Sequence, residues 1–283
     1  MINNVRQNMI KYIGKKNIIP NLFLTTFIVI SLFPMFWMLI SSFKSPSEIL
    51  KIPPQFFIKP SLINFIAIFV ERPFLHYTIN SIIVALTTTI LCMILGTPAA
   101  YGFSKFKFHG QGIIFLLIIS SRLFPPVSFL VPFTVMFTKL GLIDTRLVLI
   151  ITCLFSALPF FLWLLVGFFN SIPSELIDAA RIDGCDKIDT FFKVSLPLAK
   201  TGMASGAIMV FIMSWNEFMF ALAFTRINAK TLTVGLFDFF MDDFVAWNKV
   251  MAASLYSAIP AIIFIIFFQR YLVKGIISGS VKG

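Results

Sequence analysis

PFLHYTINSIIVALTTTILCMILGTPAAYGFS, residues 73–104, holds thirty-two consecutive positions without Asp, Glu, Lys or Arg. A helix needs about 20 apolar residues to cross a bilayer, so this run alone places the chain in a membrane. Residues 17–43, 147–174 and 250–269 are likewise free of charge, and two more apolar stretches carry one charge each, 108–138 with Arg122 and 201–225 with Glu217. The reading is an all-α membrane protein with six transmembrane helices, at 20–41, 79–101, 113–137, 147–169, 202–225 and 254–272. Tyr77 and Tyr101 bracket the second helix, and Tyr256 and Tyr271 the sixth, as interfacial aromatics do.

Composition agrees. Of 283 residues, 58% are hydrophobic and 12% charged, against about 25% charged in an ordinary soluble domain. Mean hydropathy is +0.94. A soluble core cannot hide so much apolar surface, since single cores stop growing near ~250–300 residues. The net charge of +11 does not imply nucleic acid, because the basic residues stand singly between apolar runs rather than in a stripe. Cys92, Cys153 and Cys185 lack C-x-x-C spacing, and His76 and His109 stand alone, so neither a redox pair nor a multi-His metal centre is expected.

The expected organisation is a cytoplasmic segment 1–19, a first span 20–41, an extracytoplasmic loop 42–78, a five-helix core 79–272 and a cytoplasmic tail 273–283. The first apolar run is too long for a cleaved signal sequence, and Ser41-Ser42-Phe43 lacks a small-x-small site, so it stays as an anchor. Residues 60–70 are apolar but too short to cross, and predict a helix lying on the outer surface or packed on the bundle. Six spans put both termini on one side. That side carries thirteen Lys and Arg against nine on the other, a bias that makes it the cytoplasm.

Between the fourth and fifth spans runs the loop 170–201, containing Ser171-Ile-Pro-Ser-Glu-Leu-Ile-Asp-Ala-Ala-Arg-Ile-Asp-Gly-Cys-Asp and ending Phe191-Phe-Lys-Val-Ser-Leu-Pro197. It predicts two short helices. Ser171 or Ser174 caps the first, Glu175 and Asp178 sit early, where the helix dipole favours anions, and Gly184 ends it in a left-handed conformation. Asp186 caps the second helix, and Pro197 starts the next segment. The first helix spans about 13 Å, and Leu176, Ala179, Ala180 and Asp183 share one face at 3–4 spacing. The two alanines keep that face low enough for a protein groove to approach. A linker needs no such structure, so docking is the favoured reading.

The loop resembles the EAA loop of ABC-transporter permeases, whose pattern is E-A-A, three residues, G, nine residues, I-x-L-P. Asp178-Ala179-Ala180, Gly184 and Val194-Ser195-Leu196-Pro197 follow that spacing, with Asp178 in place of Glu and Val194 in place of Ile. Phe33-Pro34-x-x-Trp37-Met38, Ser42-Phe43-Lys44, Asn80-Ser81, Ala99-Ala100-Tyr101, Pro159-Phe160 and Trp215-Asn216-Glu217-Phe218 are similar to the carbohydrate-uptake (maltose and multiple-sugar) branch, as is the ending Gln269 to Gly283. The chain resembles the smaller of two paired permeases of a type I importer. The resemblance implies a second permease subunit as heterodimer partner, a dimeric cytoplasmic ATPase holding ATP and magnesium, an extracytoplasmic sugar-binding protein, and the cell (inner) membrane of a bacterium. It also implies that Glu175, Asp178, Ala179, Ala180, Asp183, Gly184, Phe191, Leu196 and Pro197 couple the ATPase to the spans. The chain has no G-x4-G-K-[ST] phosphate loop, so no ATP hydrolysis and no cofactor of its own are expected.

Two charges lie within spans, Glu217 about 22 Å and Arg122 about 14 Å from the cytoplasmic end. Exposure to lipid costs roughly 2.5–3.5 kcal/mol each on insertion scales, so both are expected to face the bundle interior. They line the sugar path, pair with each other or with the second permease, or form a cap network that fixes packing. Trp215 and Asn216 suit a sugar ring and its hydroxyls, although a lone Trp in a span is more often packing. A secondary transporter or channel would work alone and carry midplane ion ligands and repeats. A membrane enzyme would need a nucleophile or metal cluster that the scattered His and Cys do not provide.

Overall fold

The computed structural model describes residues 18–241 and 244–280. The expected segment 1–19 therefore lies almost wholly outside the described residues, with Arg6, Lys11, Lys15 and Lys16 of the charge count, and so does the end of the tail, 281–283. The chain divides into two compact units, residues 1–70 with 243–255 and residues 71–242 with 256–283.

In the first unit, α1 (Ile18–Ser42) is apolar all round, and its window from Pro20 is unburied by this chain. The turn after it explains two motifs. Lys44 is buried to 1% exposure, with Nζ 4.0 Å from the Trp37 ring centroid, a cation–π contact that offsets part of its desolvation. The apolar stretch 60–70 forms α2 (Ile63–Glu71), which buries Asn64 and Ile68 and leaves Ile63, Ile66 and Val70 exposed. Asn64 Nδ2 donates to the Ser42 and Lys44 carbonyls at 2.8 and 2.7 Å, and Asn248 Nδ2 donates to Asn64 Oδ1 at 2.6 Å.

The second unit is built on α3 (Phe74–Lys105), α6 (Arg146–Asn170) and α8 (Lys200–Trp215), which pack on one another. Small residues let them approach. Phe161 of α6 is fully buried between Gly96 of α3 and Gly206 of α8, where added Cβ atoms would fall 2.6 and 2.8 Å from opposite edges of its ring. One apolar cluster, with Tyr101, Phe161, Leu165 and Phe169, fills the end of the bundle near the loop 170–201. A second, with Val84, Phe137, Leu149 and Phe224, fills the other end. Tyr77 and Tyr101 are both buried within the chain. Tyr101 meets Phe106, Phe169 and Phe191 at centroid distances of 5.6, 5.5 and 4.9 Å.

Four helices among the described residues are long and apolar enough to cross a membrane, and six if each of two sharply bent pairs is one span. The expected third span, 113–137, is not one helix. It is α4 (Gln111–Ser120) and α5 (Leu130–Lys139), joined by 3-10 turns and bent by 99°. Phe124 and Pro125 are extended there, with ψ of 131° and 135°, because the residue before a proline is driven out of the helical region. The second bent pair is 187–198 with α8, bent by 72°, and the expected fifth span, 202–225, is α8 followed by a separate short α9 (Met219–Phe224). The short α10 (Leu232–Phe237) precedes the last helix, α11 (Trp247–Ser280). The second span starts five residues before the expected 79, at Phe74.

Candidate functional site

The loop after α6 begins where the Ser171 hydroxyl donates back to the Phe168 carbonyl at 2.7 Å. Neither Ser171 nor Ser174 caps the next helix, α7 (Ser174–Ile182). Its N-cap is Pro173, which offers no side-chain acceptor. Proline's fixed φ presets the entry instead. Glu175 lies in the first turn and Arg181 in the last, each at the end where the helix dipole favours its sign. Gly184 has φ +88° and completes a full Schellman stop: its N–H donates to Arg181 at 3.1 Å, and the Cys185 N–H donates to Ala180 at 3.0 Å. The orphaned carbonyls of the last turn are thereby satisfied.

The face expected at Leu176, Ala179, Ala180 and Asp183 is split. Ala180 turns inward with Ile177, while Leu176, Ala179 and Asp183 stay exposed and Ile182 is 86% exposed. Asp178 is exposed and pairs with Arg181 at 3.7 Å, worth little in water. Asp186 caps the second helical stretch, its Oδ1 accepting from the Asp189 N–H at 2.7 Å. That stretch runs through a π-helical turn, Thr190–Ser195, into Leu196–Leu198. Phe191 points at Tyr101, Phe192 and Pro197 outward, and Leu196 is half-buried. Lys105 Nζ donates to the Ile172 carbonyl at 2.9 Å, and the Ser104 hydroxyl to Asn170 Oδ1 at 2.7 Å. The loop is thus anchored on the end of α3 and leaves Leu176, Ile182, Ile188 and Phe192 exposed.

The four residues expected within spans do not form one group. Trp215 is 4% exposed, its Nε1 donates to the Ser257 carbonyl at 3.3 Å, and its ring stacks on Phe211, which is packing. Asn216 is exposed and donates to the Ile212 carbonyl at 2.9 Å. Glu217 sits in the break between α8 and α9, where Oε1 accepts from the Phe220 N–H at 2.8 Å and its carbonyl accepts from the Thr233 hydroxyl at 2.7 Å. Arg122 is exposed on this chain rather than turned inward, with its guanidinium 5.2 Å from the Phe160 centroid. Among the described residues no ion pair joins Arg122 to Glu217, because each is engaged by its own neighbours. Phe218 holds the N-cap position of α9, and Glu217 just before it supplies the side-chain acceptor for the first turn. Glu217→Ala is expected to cost about 0.5–2 kcal/mol and Glu217→Gln, which keeps an acceptor, much less. Thermal denaturation of the purified protein checks this, and equal melting of the two variants would remove the capping role.

Sequence reasoning missed Asp144. It has φ +60°, and its carboxylate accepts from the backbone N–H of Arg226, Ile227, Asn228 and Ala229 at 2.8, 3.1, 3.0 and 3.1 Å. Burial raises its pKa, but those four N–H groups outweigh burial and hold it down to about 2. Because the folded value lies below the unfolded one of ~3.9, the clamp's contribution to stability is complete above that value. It is lost only as pH falls through the folded value. Asn80 and Ser81 pin the same segment: Asn80 Nδ2 donates to the Asn228 and Lys230 carbonyls, both at 2.9 Å, and the Leu232 N–H donates to the Ser81 hydroxyl at 2.9 Å. The turn chemistry of Gly141 to Asp144 was visible in sequence, but its partners 82 to 85 residues away were not.

The geometry defines a helical membrane protein with an anchored, partly exposed loop between α6 and α8. Residues 92–278 match the family described as binding-protein-dependent transport system inner membrane component. The chain is 36% identical over 260 residues to the trehalose/maltose transport system permease protein of Thermococcus litoralis, covering 90% of this chain and 93% of that one. It is 35% identical over 259 residues to the sulfoquinovosyl glycerol transport system permease protein of Agrobacterium fabrum, covering 90% of each. The fold is that of a solved bacterial ABC transporter involved in the import of the acidic polysaccharide alginate, with TM-score 0.76 and 22% identity over 91% of this chain and 96% of that one. The chain belongs to the family of binding-protein-dependent inner-membrane permeases.

Proposed function

We propose that this permease carries sugars, as one half of the translocation path of an ATP-driven importer in the cell membrane of a bacterium. A second, different permease supplies the other half, a dimeric cytoplasmic ATPase supplies the power, and an extracytoplasmic binding protein delivers the sugar. The sugar class rests on the relatives, two of which are named for trehalose/maltose and sulfoquinovosyl glycerol transport. The binding-protein partner is supported by the family description.

The observation that carries the coupling role is the loop 170–201. A short helix ended by a Schellman stop exposes Leu176, Ala179 and Ile182, while Phe191 and Lys105 tie the same loop to α3. A push on α7 is thereby delivered to the end of a long helix rather than absorbed by slack chain. In this reading Glu175, Asp178, Ala179, Asp183 and Gly184 meet the ATPase or shape the surface that meets it. Ala180, Phe191 and Leu196 pass the motion inward, and both termini lie in the cytoplasm with this loop. Hydrolysis, with ATP and magnesium, belongs to the partner. Arg122 and Asn216, exposed on this chain, face the path or the second permease. Glu217 and Trp215 shape the wall behind.

The test is purification of the tagged protein from its native membrane in mild detergent, with mass spectrometry of what accompanies it. A second permease and an ATPase are the expected companions. Recovery of the protein alone, or only with copies of itself, would overturn the importer reading in favour of a self-sufficient transporter.

A further inference from the structure

In the first unit, the stretch Leu50 to Lys59 follows α1 and carries large apolar side chains that this chain leaves open. Ile52 is 95% and Phe57 98% exposed, and Leu50 and Phe56 are exposed as well. Pro53, Pro54 and Pro60 keep the stretch out of a helix. Both of its ends are nevertheless fastened. Before it, the Ser45 N–H and hydroxyl donate to Glu48 Oε2 at 3.0 and 2.9 Å. After it, the Ser61 N–H donates to the Phe43 carbonyl at 3.1 Å, and Phe65 of α2 meets Phe43 at a centroid distance of 5.1 Å. The loop closed in this way turns back on α1, where Phe56 lies edge-on against Trp37 with 5.4 Å between centroids.

That contact fixes a depth. Trp37 comes five residues before the end of α1 at Ser42, about 8 Å down the helix axis. A loop tip that reaches back to Trp37 therefore returns to the level of the membrane boundary, and Phe57 is exposed there. α2 continues the surface, since Ile63, Ile66 and Val70 recur at helical spacing and are all exposed, while Asn64 and Ile68 face inward. From Ile49 to Val70 there is no Asp or Glu, so no carboxylate is set against lipid phosphates. Lys51 and Lys59 are exposed, and their long side chains can reach those phosphates while the residues beside them enter the apolar layer. Aromatic and branched aliphatic side chains flanked by lysines suit the bilayer boundary. A soluble protein does not reach side chains held below the end of a span, so the depth favours lipid as the occupant.

We infer that the loop 50–59 is an interfacial foot: Ile52 and Phe57 enter the lipid leaflet around the end of α1, the outer leaflet in the proposed orientation. Such an anchor sets the depth and tilt of a span, and α1 is the span whose apolar window this chain leaves unburied. Only α1 as a span enters here, none of the partners proposed above.

The experiment attaches a bimane fluorophore at Phe57→Cys in a Cys185→Ser chain, since Cys92 and Cys153 are buried. The protein, with whatever accompanies it from the membrane, is reconstituted in phospholipid nanodiscs. Emission is read against two quenchers, aqueous iodide and phospholipid with a nitroxide near the headgroup end of its acyl chain. Loss of most of the emission to the nitroxide lipid is expected, with less loss when the nitroxide sits at the methyl end and little loss to iodide. Quenching mainly by iodide overturns the proposal, because the tip then lies in water. Protection from both quenchers overturns it as well, because protein then covers the tip. If Phe57→Cys does not fold, the same label at Ile52→Cys gives the same decision.

Discussion

In Gly184→Pro, sugar uptake is expected to fall to the background of cells lacking the permease, while the chain still inserts in the membrane. The reason is local. Gly184 sits at φ +88°, and proline is locked near −65° and has no N–H, so the bond to Arg181 is lost and the one from Cys185 to Ala180 is displaced. A Cβ at this position meets no atom within 4 Å, so crowding plays no part and the backbone alone decides. That predicts a graded series. Asn tolerates the left-handed region and keeps most uptake. Ala carries roughly 1–2 kcal/mol of strain and is intermediate. Proline loses the stop. Asp178→Lys is the companion test. Its partner Arg181 is 3.7 Å away and both are well exposed, so the pair contributes only ~0–1 kcal/mol and reversing the charge leaves the fold intact. Loss of uptake in Asp178→Lys, with the ATPase no longer co-purifying, reports the contact with the partner. Normal uptake in Gly184→Pro would sink the coupling assignment for the loop.

The contrast between these two ends of the bundle explains what a sequence can disclose. The loop 170–201 was legible in part because its architecture is local: a glycine at the stop and an aspartate three residues before the N–H it caps, whereas at its entry the expected serine cap gives way to Pro173. The four long apolar helices were legible because charge is costly in lipid. Yet the double proline at Pro125-Pro126 also carried a readable signal, since Phe124 cannot be helical before Pro125, and a count of apolar residues overrode it. The break after Trp215 has no such marker. There Glu217 and Thr233 take hydrogen bonds that a continuous helix would otherwise use, and Thr233 is 16 residues away. Asp144 is the extreme case. Nothing near it in sequence announces that the amides of 226–229 will close around its carboxylate, so only the folded chain reveals a buried function for an ordinary turn residue. At Trp215 the surroundings, Phe211 and Ser257, are those of a packed side chain, the commoner role of a lone Trp in a span.

Packing at Phe161 supports the second large effect. Its ring is gripped by Gly96 and Gly206 from opposite edges and is fully buried, so it cannot retreat from an intruding methyl on either side. Gly206→Ala is therefore expected to behave as overpacking, costing about 1–3 kcal/mol, and Gly206→Val to remove most folded protein from the membrane. Phe161→Ala errs the other way, leaving a cavity that costs about 3–5 kcal/mol. Neither single result separates a specific grip from general intolerance of a crowded core, but the pair of changes does. Phe161→Leu withdraws the ring edge that Gly206→Ala strikes, so the double variant should be more stable than the sum of the two singles predicts. Residues in contact typically couple by 0.5–3 kcal/mol, whereas independent sites add to within about 0.5 kcal/mol. The measurement is the temperature at which the detergent-solubilised protein loses its monodisperse peak, for wild type, both singles and the double. Strict additivity of the three shifts would mean that Phe161 and Gly206 are not in the contact described, and that the close approach of α6 and α8 is not what holds this end of the bundle together.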